Sequence, residues 1–504
     1  MASENSRPTA VVAGGGPAGA LTAKVLAERG FKVHLYEAYP HPGDSSNITK
    51  PEKSKAYVIS VNPRGQLALK RCGVDPLMDL DAAVVSEAIV RHNSSNGKAM
   101  VTKPDDGKHS MYVKRRDLTA SLLRAAEKSG AEIHCGWRLK DINFEKRQVT
   151  LAGGTEKEAG TGTYEKTVDY DLLVGADGVQ SRTRTLLSNF LNESGEGFSV
   201  KTVDDTMEYQ VAVMPRPWKD LLLEEKANTP PLNSCPPASL HSWTDKKMGS
   251  TALCFPIRES NQSPVDKFLV CVIFPGGVLG KMKESGFAGY TSALSALFAD
   301  WTPDSRLDLA RLLAEGDNTP STGGVCVWSQ ALSHPDSGVI LVGDAGHGMW
   351  PSLGQGCNAA LESVSVFADA IESVKGSVSS GAGCRGMDFS TSSYKELAEA
   401  IALEYDGLRR DDALAAVDLT YGGIGETNVR LASHSPLMFK VQMMIFMSLH
   451  KLTAGLIPLP AMIRIMKGDS ARYSTLKWEN KVETCVTYGT VVSILVFGLG
   501  QLLY

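Results

Sequence analysis

An α/β fold, with an antiparallel sheet inserted into it and a helical region after it, is the class this sequence predicts. Three observations predict it. The chain opens on a strand–turn–helix–strand unit whose turn holds Gly14, Gly16 and Gly19. Two further short apolar strands, Leu172–Gly175 and Val339–Val342, run into glycine-containing turns far downstream. Between about Phe198 and Trp328 the pattern changes to that of half-buried strands.

The elements follow in order. Thr9–Ala13 reads as a buried strand, Ala18–Arg29 as an amphipathic helix stopped at Gly30, and Lys32–Glu37 as the next strand. A polar loop, His41–Lys55, leads to helices at Arg64–Arg71 and Arg116–Lys128. Tyr209–Met214, Ser250–Cys254 and Phe268–Phe274 read as antiparallel strands, and a helix starts at about Gly356. Gly376–Gly386 reads as a flexible surface loop, and the chain is mostly helical after Tyr394. At 504 residues two or three domains are expected. Residues 8–75, 110–185 and 325–375 form one discontinuous nucleotide-binding domain in this reading, and 76–109 with 186–324 a β-rich substrate domain. Residues 376–483 are the helical region and 484–504 a hydrophobic tail.

A net charge of −4 provides no field to hold nucleic acid. Nine cysteines are scattered singly, without a CxxC pair or a Cys/His cluster, so no metal site and a reducing compartment are expected. The first ten residues lack an apolar run, so no secretory signal is expected.

Gly14, Gly16 and Gly19 fit GxGxxG between a strand and a helix. The first permits the tight turn, the second lets the backbone approach a pyrophosphate, and the third lets helix and strand pack closely. Glu37 closes the second strand, where a carboxylate accepts hydrogen bonds from ribose hydroxyls and disfavours a 2′-phosphate. This is a Rossmann-type dinucleotide site.

Asp177-Gly178 with Ser181 and Arg184 follows the Leu172–Gly175 strand; Gly343-Asp344-Ala345 with His347, then Pro351 and Gly354-Gln355-Gly356 with Asn358, follow Val339–Val342. GxGxxG, DGxxSxxR and GDAxHxxxPxxGQGxN in this order resemble the single-component FAD-dependent aromatic hydroxylases. The resemblance implies FAD held at Gly14, Gly16, Pro17, Ala18, Gly19, Glu37, Arg115, Asp177, Arg184, Gly343, Asp344 and Gly356, with Asp344 on the ribityl chain. It implies that Pro351, Gly354, Gly356 and Asn358 lie at the reacting end of the flavin. NADPH is then the transient reductant, O2 the oxygen source and a small aromatic ring the substrate. Asp177 could instead be a turn-forming residue, and His347 reads as a packing residue rather than a general base.

Within that family the chain is most similar to the kynurenine 3-monooxygenases, through Arg64–Lys70, Val113–Leu118, Asp411-Asp412-Ala413 and Trp478–Lys481. It departs from them where they grip the amino-acid carboxylate. Arg91 is displaced from the expected register, no tyrosine precedes Gly107, and Tyr421 does not match a second tyrosine cleanly. Arg91 is either a carboxylate clamp or a solvated arginine. A membrane-associated epoxidase, another FAD oxidoreductase of this fold, and a flavin-binding protein without turnover are the alternatives. Thr484–Tyr504 is 21 residues without a charge, preceded by Lys477 and Lys481. It is expected either to anchor the enzyme facing the cytosol, on the mitochondrial outer membrane by resemblance, or to pack as a helix. Leu437–Met466 is also apolar with interspersed charges, as in a packed helix pair or an interfacial one.

Overall fold

The computed structural model describes residues 7–44, 57–93, 98–105, 107–153, 164–245, 247–315, 321–322, 324–379, 391–421 and 436–503, with the side chains of 495–503 outside that description. Strand β1 (Thr9–Ala13), helix α1 (Pro17–Glu28) and strand β2 (Lys32–Glu37) form the opening unit. Helices α2 (Pro63–Arg71) and α3 (Arg115–Lys128), strands β3 (Glu132–Cys135) and β4 (Leu172–Gly175), helix α4 (Arg182–Glu193), strand β5 (Val339–Leu341) and helix α5 (Gly356–Ser379) complete it. The sheet order is Ser333–His334, β5, β4, β1, β2, β3. β1 pairs in parallel with both β2 and β4, so the loops leaving β1 and β4 open at one end, where such sheets take their ligand.

Both faces of this sheet are covered at its centre, which is why β1, β4 and β5 read as apolar runs. Val12, Leu35, Leu21 of α1, Leu122 of α3 and Phe367 of α5 share one core. On the other face Val11, Leu173 and Leu187 of α4 pack on Val149 and Leu151. Those two belong to a three-stranded antiparallel sheet, Trp137–Asn143, Gln148–Gly153 and Tyr164–Asp169, that the sequence reading missed.

The boundaries shift in places. α1 starts one residue early because Pro17 suits a helix's first turn, where its missing N–H is not needed. α4 crosses the 185/186 boundary, since Leu187 and Leu191 are buried in the first domain's core. α5 continues through Gly376 to Ser379, which corrects the loop expected there; 380–386 lie outside the described residues, as do 45–55 of the expected polar loop.

The inserted sheet has seven strands, with Met207–Met214, Lys267–Pro275, Ser250–Ile257, Ser239–Asp245 and Ala88–Asn93 adjacent in that order. Alternate residues face opposite ways. Ala212, Val270, Val272, Ala252, Cys254 and Trp243 pack under Leu294, Leu297 and Leu309 of the helices that cover one face. The opposite set, Val211, Leu240, Phe255 and Cys271, is only partly buried and meets Val58 and Tyr112 of the nucleotide-binding domain.

The C-terminal region includes α6 (Thr391–Thr420), α7 (Pro436–Leu452) and α8 (Tyr473–Leu503), with a short helix at Ala461–Met466. α6 packs along α5, and α8 along α6 and α7. The packed part of α8 extends past the expected start of the tail: Thr484 and Thr487 are buried, and Glu483 accepts a hydrogen bond from the Ala461 N–H at 2.9 Å. Beyond them Val492 and Ile494 are exposed. Among the described residues no helix is long and apolar enough to cross a membrane, and the side chains of 495–504 in the expected tail lie outside them.

Candidate active site

The glycine turn is built by contact. Gly14 holds φ +102°, and a Cβ there would lie 2.5 Å from the Ala176 carbonyl of the loop after β4. A Cβ on Gly19 would lie 1.9 Å from the Gly14 carbonyl oxygen. Gly16 differs: the nearest protein atom to its Cβ position is an Arg115 guanidinium nitrogen at 3.5 Å, so its front is open. Pro17 and Ala18 begin α1, and the Ala18 methyl lies 3.2 Å from the Cβ position of Gly343, whose φ is +64°. Glu37 is partly engaged, accepting from the Gly15 N–H at 2.5 Å and the Tyr39 N–H at 3.0 Å. An ionised carboxylate has lone pairs left for hydroxyl donors.

Asp344, Tyr57, Arg115 and Cys357 line a deep cleft beside this turn. The Asp344 and Tyr57 side chains reach solvent, with protein crowded around them. Burial raises the Asp344 carboxyl, with Arg115 and Arg184 opposing. Burial also raises the Tyr57 phenol, which Arg115 pulls down, and it pushes the Cys357 thiol up to about 12. Asp344 thus offers a carboxylate lining a cleft, a fit for a polyhydroxyl chain that donates hydrogen bonds. Gly354 holds φ +62° with open space around its Cβ position. α5 then starts at Gly356, so its first N–H groups lack intrahelical acceptors and favour negative charge at the cleft. The glycine turn fits a pyrophosphate, Glu37 a ribose, and Asp344 the chain beyond it.

Three residues expected at the ligand have other tasks here. Asp177 accepts from the Ser181 hydroxyl at 2.5 Å and from the Thr183 N–H and hydroxyl at 2.9 and 3.0 Å, so its carboxylate closes its own loop as a turn residue. Arg184 donates to the Ala345 and Val179 carbonyls, both at 2.7 Å, fastening that loop to the segment carrying Asp344. Asn358 is fully buried; it accepts from the Asn62 N–H at 3.0 Å and donates to the Ser60 and Gly354 carbonyls, each at 2.9 Å. With that capacity used, Asn358 positions the Gly354 turn rather than touching substrate. Pro351 opens a short 3-10 turn beside Trp350, whose ring packs 4.7 Å from Tyr421.

His347 is buried, hydrogen-bonded to the Ser363 hydroxyl at 2.8 Å, and lowered to about 3 by burial and then by Arg409. It is a neutral packing residue. Tyr57 is the cleft residue that sequence reading missed, because a lone tyrosine after a polar loop matches no pattern.

The glycine turn and the groups beside it suit FAD as the cofactor, and the chain is similar to FAD-dependent monooxygenases of the aromatic-hydroxylase kind. Residues 7–241 match the family model "FAD binding domain". Curated relatives named kynurenine 3-monooxygenase include those of Neurospora crassa, 25% identical over 82% of this chain and 77% of that protein, and Sus scrofa, 25% identical over 72% and 69%. That of Emericella nidulans is 27% identical over 72% and 68%. Among solved structures, 2-methyl-3-hydroxypyridine-5-carboxylic acid oxygenase has a TM-score of 0.57 at 17% identity, covering 86% of this chain and 94% of its own. Klebsiella pneumoniae HpxO complexed with FAD and uric acid has a TM-score of 0.55 at 18% identity, covering 92% and 96%. These two share the fold.

Proposed function

We propose that the chain hydroxylates a small aromatic substrate using NADPH and O2, and that kynurenine is the first substrate to test. The observation that carries this reading is the partly covered apolar layer of Val211, Leu240, Phe255 and Cys271 facing the nucleotide-binding domain. An aromatic ring is held there by dispersion and kept from bulk water, which this chemistry needs more than it needs a side-chain acid. Bound FAD supplies the redox chemistry, taking electrons from NADPH and activating O2. The protein's own work is orientation: Asn358 and Gln355 fix the Gly354 turn, and the N–H groups at the start of α5 meet negative charge. Arg91 lies on the same sheet face as Leu240, exposed, with its guanidinium 3.5 Å from the Thr102 hydroxyl. We assign it to the substrate carboxylate.

The test is ligand-stimulated NADPH oxidation with kynurenine, anthranilate, salicylate and a lipid alkene. Kynurenine is expected to stimulate most and to yield a hydroxylated product. Arg91→Ala is expected to raise its KM about tenfold or more with kcat little changed, without affecting a neutral phenol. Stimulation and oxygenated product with the alkene alone would move the reading to an epoxidase.

We also propose that the end of α8 tethers the enzyme to a membrane, its catalytic part facing the cytosol, on the mitochondrial outer membrane by analogy with the family. Exposed Val492 and Ile494 beyond the packed part of α8, with Leu452 and Leu456 exposed nearby in sequence to α7, support it. Because Thr484 and Thr487 are buried, the informative truncation falls after Tyr488. It is expected to move active protein from the membrane to the soluble fraction; aggregation of the truncated form, with full-length protein soluble without detergent, would make the segment core.

A further inference from the structure

Strand β3 is the outer edge of the nucleotide-binding sheet, and three metal-ligating groups converge where it pairs with β2. His34 on β2 is register partner to Glu132 on β3, and His134 follows two residues later on the same face. His34 Nδ1 lies 3.2 Å from His134 Nε2 and 3.2 Å from Glu132 Oε2, and the last two are 3.7 Å apart. Ligands about 2.0–2.1 Å from a tetrahedral ion stand roughly 3.3 Å from one another, so these spacings suit one cation.

One hydrogen bond, between the two imidazoles or from His34 to Glu132, joins two of the three groups and leaves the third without a proton of its own. If His34 Nδ1 carries a proton for Glu132, His134 Nε2 can only share that proton through its lone pair. If His134 is protonated there as well, two N–H groups face each other at 3.2 Å. A cation meets all three lone pairs at once. Burial, partly offset at His34 by Glu132, lowers both imidazoles, and Lys166 adds to this at each, with Lys32 at His34. The His134 ring is itself held, stacked 4.7 Å from Tyr36, over which the Lys166 ammonium sits at 4.7 Å.

We propose that His34, Glu132 and His134 form a divalent transition-metal site of the zinc type, with water in the fourth position. Two imidazoles and one carboxylate are a borderline-soft set that selects zinc over calcium or magnesium. The ion staples the edge strand to β2, three residues before Glu37, and so braces the strand that ends at the ribose site. The ligands' separation by 100 positions hides the site from a search for local Cys/His spacing.

The experiment uses full-length, FAD-loaded protein, stripped with chelator and titrated with zinc chloride against a metallochromic indicator. One tight equivalent is expected. His134→Gln and Glu132→Gln are each expected to weaken it at least about tenfold, with the flavin spectrum unchanged to show that the fold survives. No binding by the unmodified protein, or zinc retained undiminished in the His34→Gln/His134→Gln double variant, overturns the proposal. The second outcome would place the ion on other groups, such as the exposed thiol of Cys485.

Discussion

Gly16→Val protein is expected to come off the column folded and colourless. The reason lies in how unequal the three motif glycines are. Gly16 has φ −67° and ψ 178°, an extended conformation any residue adopts, and no protein atom lies within 3.5 Å of its Cβ position. Of the protein's own atoms a valine there meets the Arg115 guanidinium, the movable end of a long side chain, while its methyls fill the space through which the backbone approaches the pyrophosphate. FAD affinity is expected to fall by at least about a hundredfold, roughly 2.7 kcal/mol. The thermal midpoint of the apoprotein should stay near that of unmodified apoprotein. Gly19→Val is the contrasting case. A Cβ 1.9 Å from the Gly14 carbonyl forces α1 off β1, so that variant loses its fold along with its flavin. The two are separated by far-UV circular dichroism beside flavin absorbance after gel filtration. A yellow Gly16→Val protein, or one that unfolds as Gly19→Val does, would remove the pyrophosphate from this turn.

The same contrast explains what was legible in the sequence. Local chemistry reads well: Thr9–Ala13 and Lys32–Glu37 hold the bounds expected of them, the first apolar and closed by the glycine turn, the second following the stop at Gly30 with Val33 and Leu35 buried. The cofactor class follows from residues close together in the chain. Side-chain allegiance reads poorly, because hydrogen bonding is decided by neighbours that sequence keeps far apart. Asp177, Arg184 and Asn358 occupy motif positions, yet each is engaged by groups of the protein's own, and for Asn358 one lies 296 positions away. The antiparallel sheet at Trp137–Asp169 escaped notice for another reason. Its outer strand, Tyr164–Asp169, is mostly polar and follows a Gly-rich, charged stretch that reads as loop. Tyr57 and the two-histidine triangle on β2 and β3 arise only when separate segments meet.

Replacing Arg409 by methionine is expected to cost about 3–5 kcal/mol of stability, the range for removing one partner of a buried ion pair. Arg409 is fully buried on α6 and reaches three ways into the first turns of α5. Its Nε donates to the Ser363 hydroxyl at 2.9 Å, one terminal nitrogen to Glu362 at 2.9 Å and Asp412 at 3.0 Å, and the other to the Ala359 carbonyl at 2.9 Å. Burial alone would lower its affinity for a proton, but the Glu362 and Asp412 carboxylates raise it. Methionine fills the volume and leaves those carboxylates behind. Glu362 keeps a partner in Arg64 at 2.6 Å, whereas Asp412 retains only the Ser474 N–H and hydroxyl at 2.9 and 3.0 Å. The penalty therefore falls chiefly on Asp412, and adding Asp412→Asn should recover part of it in a double-mutant cycle. Arg409→Lys should recover less, since an ammonium cannot match the guanidinium fork. The damage should also reach the cofactor. Ser474 adjoins Tyr473, whose hydroxyl lies 3.1 Å from Gln355 Oε1 in the Gly354 turn, so loosening this join frees the turn at the reacting end of the cleft. Faster FAD release from the folded Arg409→Met protein, beside a lower denaturant midpoint, is the combined result expected. A loss below about 1 kcal/mol would mean that water already screens the pair, as at a protein surface.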